Sequence, residues 1–114
     1  MSLVARYLEE QGMPTVVFTN ALDITRSAFT PRAYFTNYPL GNPFGRPGDP
    51  DDQRAGLEAG LRLLETATAA GTVGYSERRW SGNSDWMKLI FSPEQPFLSE
   101  QAEARRRAEL GQAR

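Results

Sequence analysis

The feature that most constrains the fold is a short run of β-branched and aromatic residues. Residues 15–19, Thr-Val-Val-Phe-Thr, show no alternation of apolar and charged side chains, which is typical of a strand buried on both faces. Strands of this kind occur in parallel sheets that are flanked by helices. The run therefore predicts an α/β protein.

The neighbouring sequence predicts further elements in the order that an α/β unit requires. A first helix is expected to begin with Ser2 as its cap and to end at Gly12, which suits the left-handed position after a helix. Residues 20–30 are predicted to form a loop or a short helix. A second short strand is predicted at residues 32–36, and an edge strand at residues 72–75.

The sequence Asp49-Pro50-Asp51-Asp52 predicts the start of a long helix. Asp49 is a suitable cap, proline suits the first helical position, and the two acids that follow favour the positive end of the helix dipole. Capping explains all of these carboxylates, so we prefer it to a calcium or magnesium site. An apolar stripe expected to face the core continues the helix before Gly71: Leu57, Leu61, Leu64 and Ala67 or Thr68.

The segment after residue 71 has a different composition. Arginine and tryptophan are concentrated in residues 78–86, which favours a protein interface, with an anion-binding or cation–π cluster as the alternative. Ser92 and Gln95 form a capping box for a final helix that extends to about residue 110. We therefore divide the chain into an α/β half-unit, residues 1–71, and an interface segment with a C-terminal helix, residues 72–114.

The composition excludes several kinds of chemistry. The 114 residues contain no cysteine and no histidine, so this chain offers no thiol nucleophile, no thiolate ligand and no imidazole base. We predict no catalytic residue, metal site or cofactor on this chain. The formal net charge of −1 argues against a nucleic-acid partner, and the apolar runs are too short to span a membrane. No signal-peptide pattern is present at the first residues, so we predict a cytoplasmic protein.

The predicted elements correspond to an incomplete doubly wound unit. Such a domain normally begins with a strand, and the loop after that strand leads into the first helix, whereas here the predicted order begins with the helix. Two strands without alternation cannot bury both faces by themselves. We therefore expect a partial doubly wound, flavodoxin- or Rossmann-like three-layer unit whose short parallel sheet is completed by a partner chain or a second copy.

Polar residues follow both predicted strands at the same sheet edge, which is where open α/β sheets bind ligands. Asn20 follows the first strand, and Asn37 and Tyr38 follow the second strand. In the loop after them, Gly41 allows a ligand or a partner backbone to approach closely, and Asn42 adds another amide. These residues are candidates for binding a small-molecule substrate. The alternative is that the asparagines cap turns and the prolines only shape the loop.

Arg46 completes the predicted substrate-binding set. Its guanidinium could bind an anionic substrate through two parallel hydrogen bonds. It could equally pair with Asp49, Asp51 or Asp52 on the surface. The sequence leaves both interpretations open.

Two segments resemble component B of the glycine, sarcosine, betaine and D-proline reductases, the selenoprotein B family. They are residues 5–17, Ala-Arg-Tyr-Leu-Glu-Glu-Gln-Gly-Met-Pro-Thr-Val-Val, and residues 38–43, Tyr-Pro-Leu-Gly-Asn-Pro. The helix after Pro50 fits in position and pattern, so the resemblance covers residues 3–68 and concerns the carboxy-terminal part of component B. In that family a selenocysteine or cysteine in the loop before the first helix attacks the substrate carbon and displaces the amine. A carbonyl cofactor on a partner subunit activates that amine.

The resemblance implies a small subunit of a heteromeric reductase. No residue of this chain matches the nucleophile, so we expect a companion subunit to supply the thiol or selenol, and a partner to carry any carbonyl cofactor. The implied reaction is reductive cleavage of a carbon–heteroatom bond in a small molecule bound at a shared site. The alternative is a non-catalytic, homo-oligomeric binding or scaffold module. A free-standing hydrolase or lyase is disfavoured, because no spaced pair of carboxylates supports it.

Overall fold

The computed structural model describes residues 1–83, 85–87, 101, 104–105, 108 and 111. The chain divides into two compact units, Met1–Trp80 and Ser81–Arg114. The first unit, which is described throughout, contains these elements: α1 Ser2–Glu10, β1 Val17–Thr19, α2 Leu22–Ser27, β2 Arg32–Phe35, α3 Pro50–Thr66 and β3 Thr72–Tyr75.

The strands of this unit form a parallel sheet in the order β1-β2-β3. Val17 pairs with Ala33, and Ala33 pairs with Val73 on the other side. The predicted α/β class and the parallel sheet are confirmed, and residues 72–75 are the predicted edge strand. The doubly wound, partner-completed arrangement stays a prediction.

Helix α3 packs on the rest of the unit through glycines, of which Gly60 faces the sheet, and this corrects the predicted leucine stripe. Gly56 and Gly60 are buried, and a Cβ at Gly60 would overlap the ring of Phe18. Leu57 and Leu61 are instead 43% and 45% exposed. Glycine lets the helix backbone approach the strands more closely than leucine would, so the glycine face is turned inward.

Helix α1 begins one residue earlier than the sequence predicts. Met1 is the N-cap, without a side-chain cap hydrogen bond, and its carbonyl accepts from the Ala5 N–H at 3.0 Å. The Ser2 hydroxyl lies 2.7 Å from that of Thr30 instead. The predicted cap at Ser2 is therefore wrong, whereas Gly12 does have a positive φ of 84°.

The two units of the chain meet later in the sequence than the predicted boundary at residue 71. Because β3 pairs with β2, the first unit continues to Trp80. In the second unit, residues 85–87 are helical, and so are residues 101, 104–105, 108 and 111. The predicted capping box, Ser92 and Gln95, lies outside the described residues. No helix among the described residues has both the length and the apolar character needed to cross a membrane.

Candidate functional site

A buried carboxylate, Asp52, fastens the proline-rich loop of residues 37–49 to α3. Its side chain is only 5% exposed. It accepts a hydrogen bond from the backbone N–H of Arg46 at 2.8 Å and another from the guanidinium of Arg78 at 2.7 Å. Arg78 also donates to the Asp52 carbonyl oxygen at 2.6 Å. One carboxylate therefore joins the loop, the helix and the segment after β3.

Tyr38 completes this arrangement, which we call the Asp52 cluster (Tyr38, Arg46, Asp52, Arg78 and Trp80). The Tyr38 hydroxyl lies 3.0 Å and 3.1 Å from the two carboxylate oxygens of Asp52, so its proton is donated to that group. Tyr38 is 2% exposed, and its ring centre lies 5.6 Å from the Arg78 guanidinium and 5.3 Å from the centre of the Trp80 ring. Arg78 and Trp80, which the sequence assigned to an interface, therefore make contacts inside the first unit.

The electrostatics of the cluster favour a stable ion pair. Burial alone would raise the pKa of Asp52, but hydrogen bonds from the Arg46 N–H, from Arg78 and from Tyr38 outweigh it and hold this pKa below 3.8. Burial, together with the bond to Asp52, raises the pKa of Tyr38 above its usual range. At neutral pH the cluster thus holds a carboxylate, two guanidinium groups and a neutral phenol, an arrangement that stabilises structure rather than transferring protons.

Asn20 ties the same loop to the sheet edge. Its amide NH₂ donates to the Thr36 carbonyl at 2.9 Å and to the Asn42 carbonyl at 3.2 Å, while its side-chain oxygen accepts from the Asn42 N–H at 3.1 Å. The sequence prediction that Asn20 and Asn42 lie at one edge is therefore correct in position. The Asn20 amide is engaged by the loop backbone.

The other predicted substrate-binding residues have varied environments. Asn37 is exposed, and its side chain makes no hydrogen bond within the described residues. Gly41 has a φ of 97°, with open space where a Cβ would stand. Arg46 lies 3.1 Å from Asp49 and 3.6 Å from Asp52, which are two of the three carboxylates that the sequence offered as its partners. The substrate-binding role of the set stays a prediction.

A cleft of about 840 Å³ separates the loop from the first turns of α3. Gly41 and Asn42 line it, whereas Asn20, Asn37, Tyr38 and Arg46 do not. Phe44 and Arg54, which the sequence analysis did not single out, also line it. So do Asp51 and Leu57, which the sequence assigned to the helix start and to the apolar stripe. On the helix, the spacing of residues 51, 54 and 57 by three was a signal that they share a face.

The charged groups of the described chain suggest no metal centre. Among the described residues, no group of three or more carboxylates is placed so that it could hold a metal ion. Asp49 instead caps α3, because its side chain accepts from the Asp52 N–H at 3.1 Å. The predicted capping role of Asp49 is therefore confirmed.

Comparison with known proteins relates this α/β chain to reductase subunits. It is similar to the D-proline reductase subunit gamma of Acetoanaerobium sticklandii, with 32% identity over 71 residues, which is 62% of this chain and 29% of the relative. The chain thus spans less than a third of that relative's length. No family model matches the chain. No solved structure matches it either. The similarity is weak, and it supports a relationship to the reductases and a reductase-type subunit.

Proposed function

We propose that this chain is the small subunit of a heteromeric reductase related to component B of the glycine, sarcosine, betaine and D-proline reductases. The observation that carries the proposal is the 32% identity over 71 residues to a D-proline reductase subunit. The two segments that resemble component B, residues 5–17 and 38–43, agree with this relationship. In this proposal the chain completes an α/β domain and forms part of the substrate pocket.

The reactive group comes from the companion subunit, because the 114 residues contain no cysteine. A thiolate or selenolate of the companion attacks the substrate carbon, the carbon–nitrogen bond breaks, and the departing nitrogen takes up a proton. A second thiol then attacks the sulfur or selenium of the adduct. The reduced carbon leaves with a proton, and a disulfide or selenosulfide remains. The thiol pair thus supplies the two electrons of the reduction.

Exposed apolar groups on α1 support a companion subunit. Leu3 and Tyr7 on this helix are 72% and 62% exposed, and Met13, which follows the helix, is 56% exposed. Within the described residues, β1 pairs only with β2, so its other edge has unpaired backbone groups that can accept a further strand. A second polypeptide at this surface would cover apolar side chains and extend the sheet.

Isolation from the native cells tests the proposal. The tagged chain is purified, co-purifying polypeptides are identified, and the complex is assayed for consumption of D-proline that depends on a dithiol. We expect a companion with a cysteine or selenocysteine motif, and loss of activity when that residue is replaced by serine. A well-folded monomer without a companion would contradict the proposal, and self-association alone would favour the homo-oligomeric scaffold.

A further inference from the structure

We infer that the exposed side of α3 binds the same side of a second copy of this chain, with the two helices antiparallel. This surface, which we call the α3 outer face, consists of exposed residues: Arg54, Leu57, Glu58, Leu61, Arg62 and Glu65. The inference goes beyond the proposed function, because it concerns a surface other than α1 and a partner other than the companion subunit. It is carried by two exposed leucines and by the order of the charges around them.

The two leucines that the sequence assigned to the core lie on the outside of α3. Leu57 and Leu61 are 43% and 45% exposed. Their spacing of four residues places them next to each other on the helix surface, whereas the buried side of the helix is formed by Gly56 and Gly60. The leucines therefore form an apolar ridge that is open to solvent, and a second apolar surface would remove this ridge from water.

The charges around the leucines are complementary to themselves under two-fold symmetry. A two-fold axis that crosses α3 midway between residues 59 and 60 places Arg54 of each copy beside Glu65 of the other copy. The same axis brings Glu58 near Arg62 of the second copy, and Leu57 near its Leu61. A contact of this kind uses the same patch on both chains, and here every charge meets an opposite charge around a leucine centre.

The Arg54–Glu65 pairing is possible only between copies. The two residues are 11 positions apart, which is about 16 Å along a helix axis. Within the described residues, none of the charged side chains of the α3 outer face makes an ion pair. A second copy is favoured over an unrelated protein, because this face already carries the complement of its own charges.

The concentration dependence of the molecular mass tests the inference. A contact between two single helices is smaller than the about 1,200 Å² of stable interfaces, so we expect a weak dimer with a Kd of about 100 µM. Sedimentation equilibrium of the 114-residue chain at concentrations up to about 500 µM measures this Kd. A chain that stays monomeric over this range would overturn the inference.

Charge reversal assigns the association to the α3 outer face. Arg54→Glu alone and Glu65→Arg alone should each weaken self-association at least about tenfold, because like charges then meet at both ends of the contact. An equimolar mixture of the two single variants should recover the original Kd, and so should the double variant, because opposite charges meet again. Arg6→Glu changes the net charge equally at an exposed position on α1, and it should have no effect on the Kd.

Recovery in the mixture is the decisive result, because a change within one chain cannot produce it. If the mixture associates no better than either single variant, the two helices do not pair in this way and the inference fails. The inference also fails if Arg6→Glu weakens self-association as much as Arg54→Glu does.

A pair of leucine variants separates this contact from the companion subunit. Leu61→Gln should weaken self-association about tenfold and leave the affinity for the companion unchanged, whereas Leu3→Gln on α1 should do the reverse. If Leu61→Gln weakens binding of the companion and leaves self-association unchanged, the α3 outer face belongs to the companion. That result would overturn the inference while supporting the proposed function.

Discussion

Asp51 and Asp52 are neighbours in the sequence, yet their environments are opposite. Asp51 is exposed, whereas Asp52 is buried and accepts hydrogen bonds from Tyr38, Arg46 and Arg78. On a helix, consecutive residues point about 100° apart, so one acid can face the solvent while the next faces the core. The sequence identified both acids only as helix-start residues.

Replacement of Asp52 by asparagine should lower the free energy of unfolding by about 3 kcal/mol. The reason is that Arg78, whose side chain is only 20% exposed, would lose its counter-charge while remaining partly buried. Urea unfolding followed by circular dichroism measures the change. Glu58→Gln is the control, because Glu58 is exposed on the same helix, and it should change stability by less than about 0.5 kcal/mol. Equal effects of the two substitutions would show that the Asp52 cluster contributes little to the free energy of unfolding.

The stability should fall in acid because of Asp52. Its pKa in the native state lies below the ordinary 3.8, so its stabilising contribution is complete above that value and is lost as the pH falls through the native pKa. Glu9, whose pKa is also lowered despite burial, by hydrogen bonds from Thr15 and by Arg32, acts in the same direction. Urea unfolding at a series of acidic pH values should give a shallower decline for Asp52→Asn than for the unaltered chain, and parallel declines would contradict the assignment.

At the scale of elements, α3 shows how a helix and a loop are fitted together. Its N-terminus is capped by Asp49, and its inward face is formed by Gly56 and Gly60. Gly56 lies against the carbonyl of Phe44 and the guanidinium of Arg78, which a Cβ would overlap. The loop can therefore lie directly on the helix, which is what gives the cleft its shape.

Gly56→Ala should destabilise the chain, although alanine is a better helix former by about 1 kcal/mol. Overpacking against a backbone carbonyl costs more, about 1–3 kcal/mol, because the carbonyl cannot rotate away as a side chain can. The free energy of unfolding in urea measures the net effect. Ala55→Gly, at the adjacent exposed position, is the comparison. It should lower the free energy of unfolding by about 1 kcal/mol through the lower helix propensity of glycine alone. A more stable Gly56→Ala chain would show that the contact is loose.

Asp49→Ala, which removes the helix cap, should lower the free energy of unfolding by about 1 kcal/mol. The Asp52 N–H would lose its acceptor at 3.1 Å, and Arg46 would lose one of its two carboxylate partners. Asp49→Ser keeps a capping oxygen, so it should recover most of the loss. Thermal and urea unfolding measure both variants, and a serine variant as unstable as the alanine variant would attribute the effect to the Arg46 pair instead.

At the scale of the whole molecule, the apolar side chains are only partly buried. The buried apolar residues of the described chain are Ala5, Ala33, Tyr34 and Tyr38, while α1 exposes Leu3, Val4 and Tyr7. A short sheet with one such exposed helix gains stability when another surface covers it. We therefore expect the companion subunit that we propose to contact α1.

Leu3→Gln should weaken the complex about tenfold while changing the stability of the isolated chain by less than about 0.5 kcal/mol. The Leu3 side chain is 72% exposed, so it packs little within this chain. We expect its main contribution to be to the contact with the other subunit. Sedimentation with the purified companion measures the affinity. Leu40→Gln is the matched control, because Leu40 is 70% exposed but lies in the loop. Equal losses from both substitutions would exclude α1 as the specific surface.

Local signals were sufficient for the identity of most elements. The unbroken apolar run predicted β1 and the parallel sheet, and the Asp-Pro start predicted α3, because strand burial and helix capping depend on residues that are close in sequence. The inward face of α3 was predicted incorrectly. A periodic set of leucines is apolar enough to face a core, and only the distance between helix and sheet decides that the glycines do so instead.

The sequence by itself determined the α/β class, the boundaries of the proline-rich loop, the absence of a thiol nucleophile on this chain, and the resemblance that led to a reductase. Only the tertiary structure decided which charges are paired. Asp52 is separated from Tyr38 by 14 residues and from Arg78 by 26, so no local pattern could join them. That pairing depends on the register of the parallel strands, which brings distant segments together.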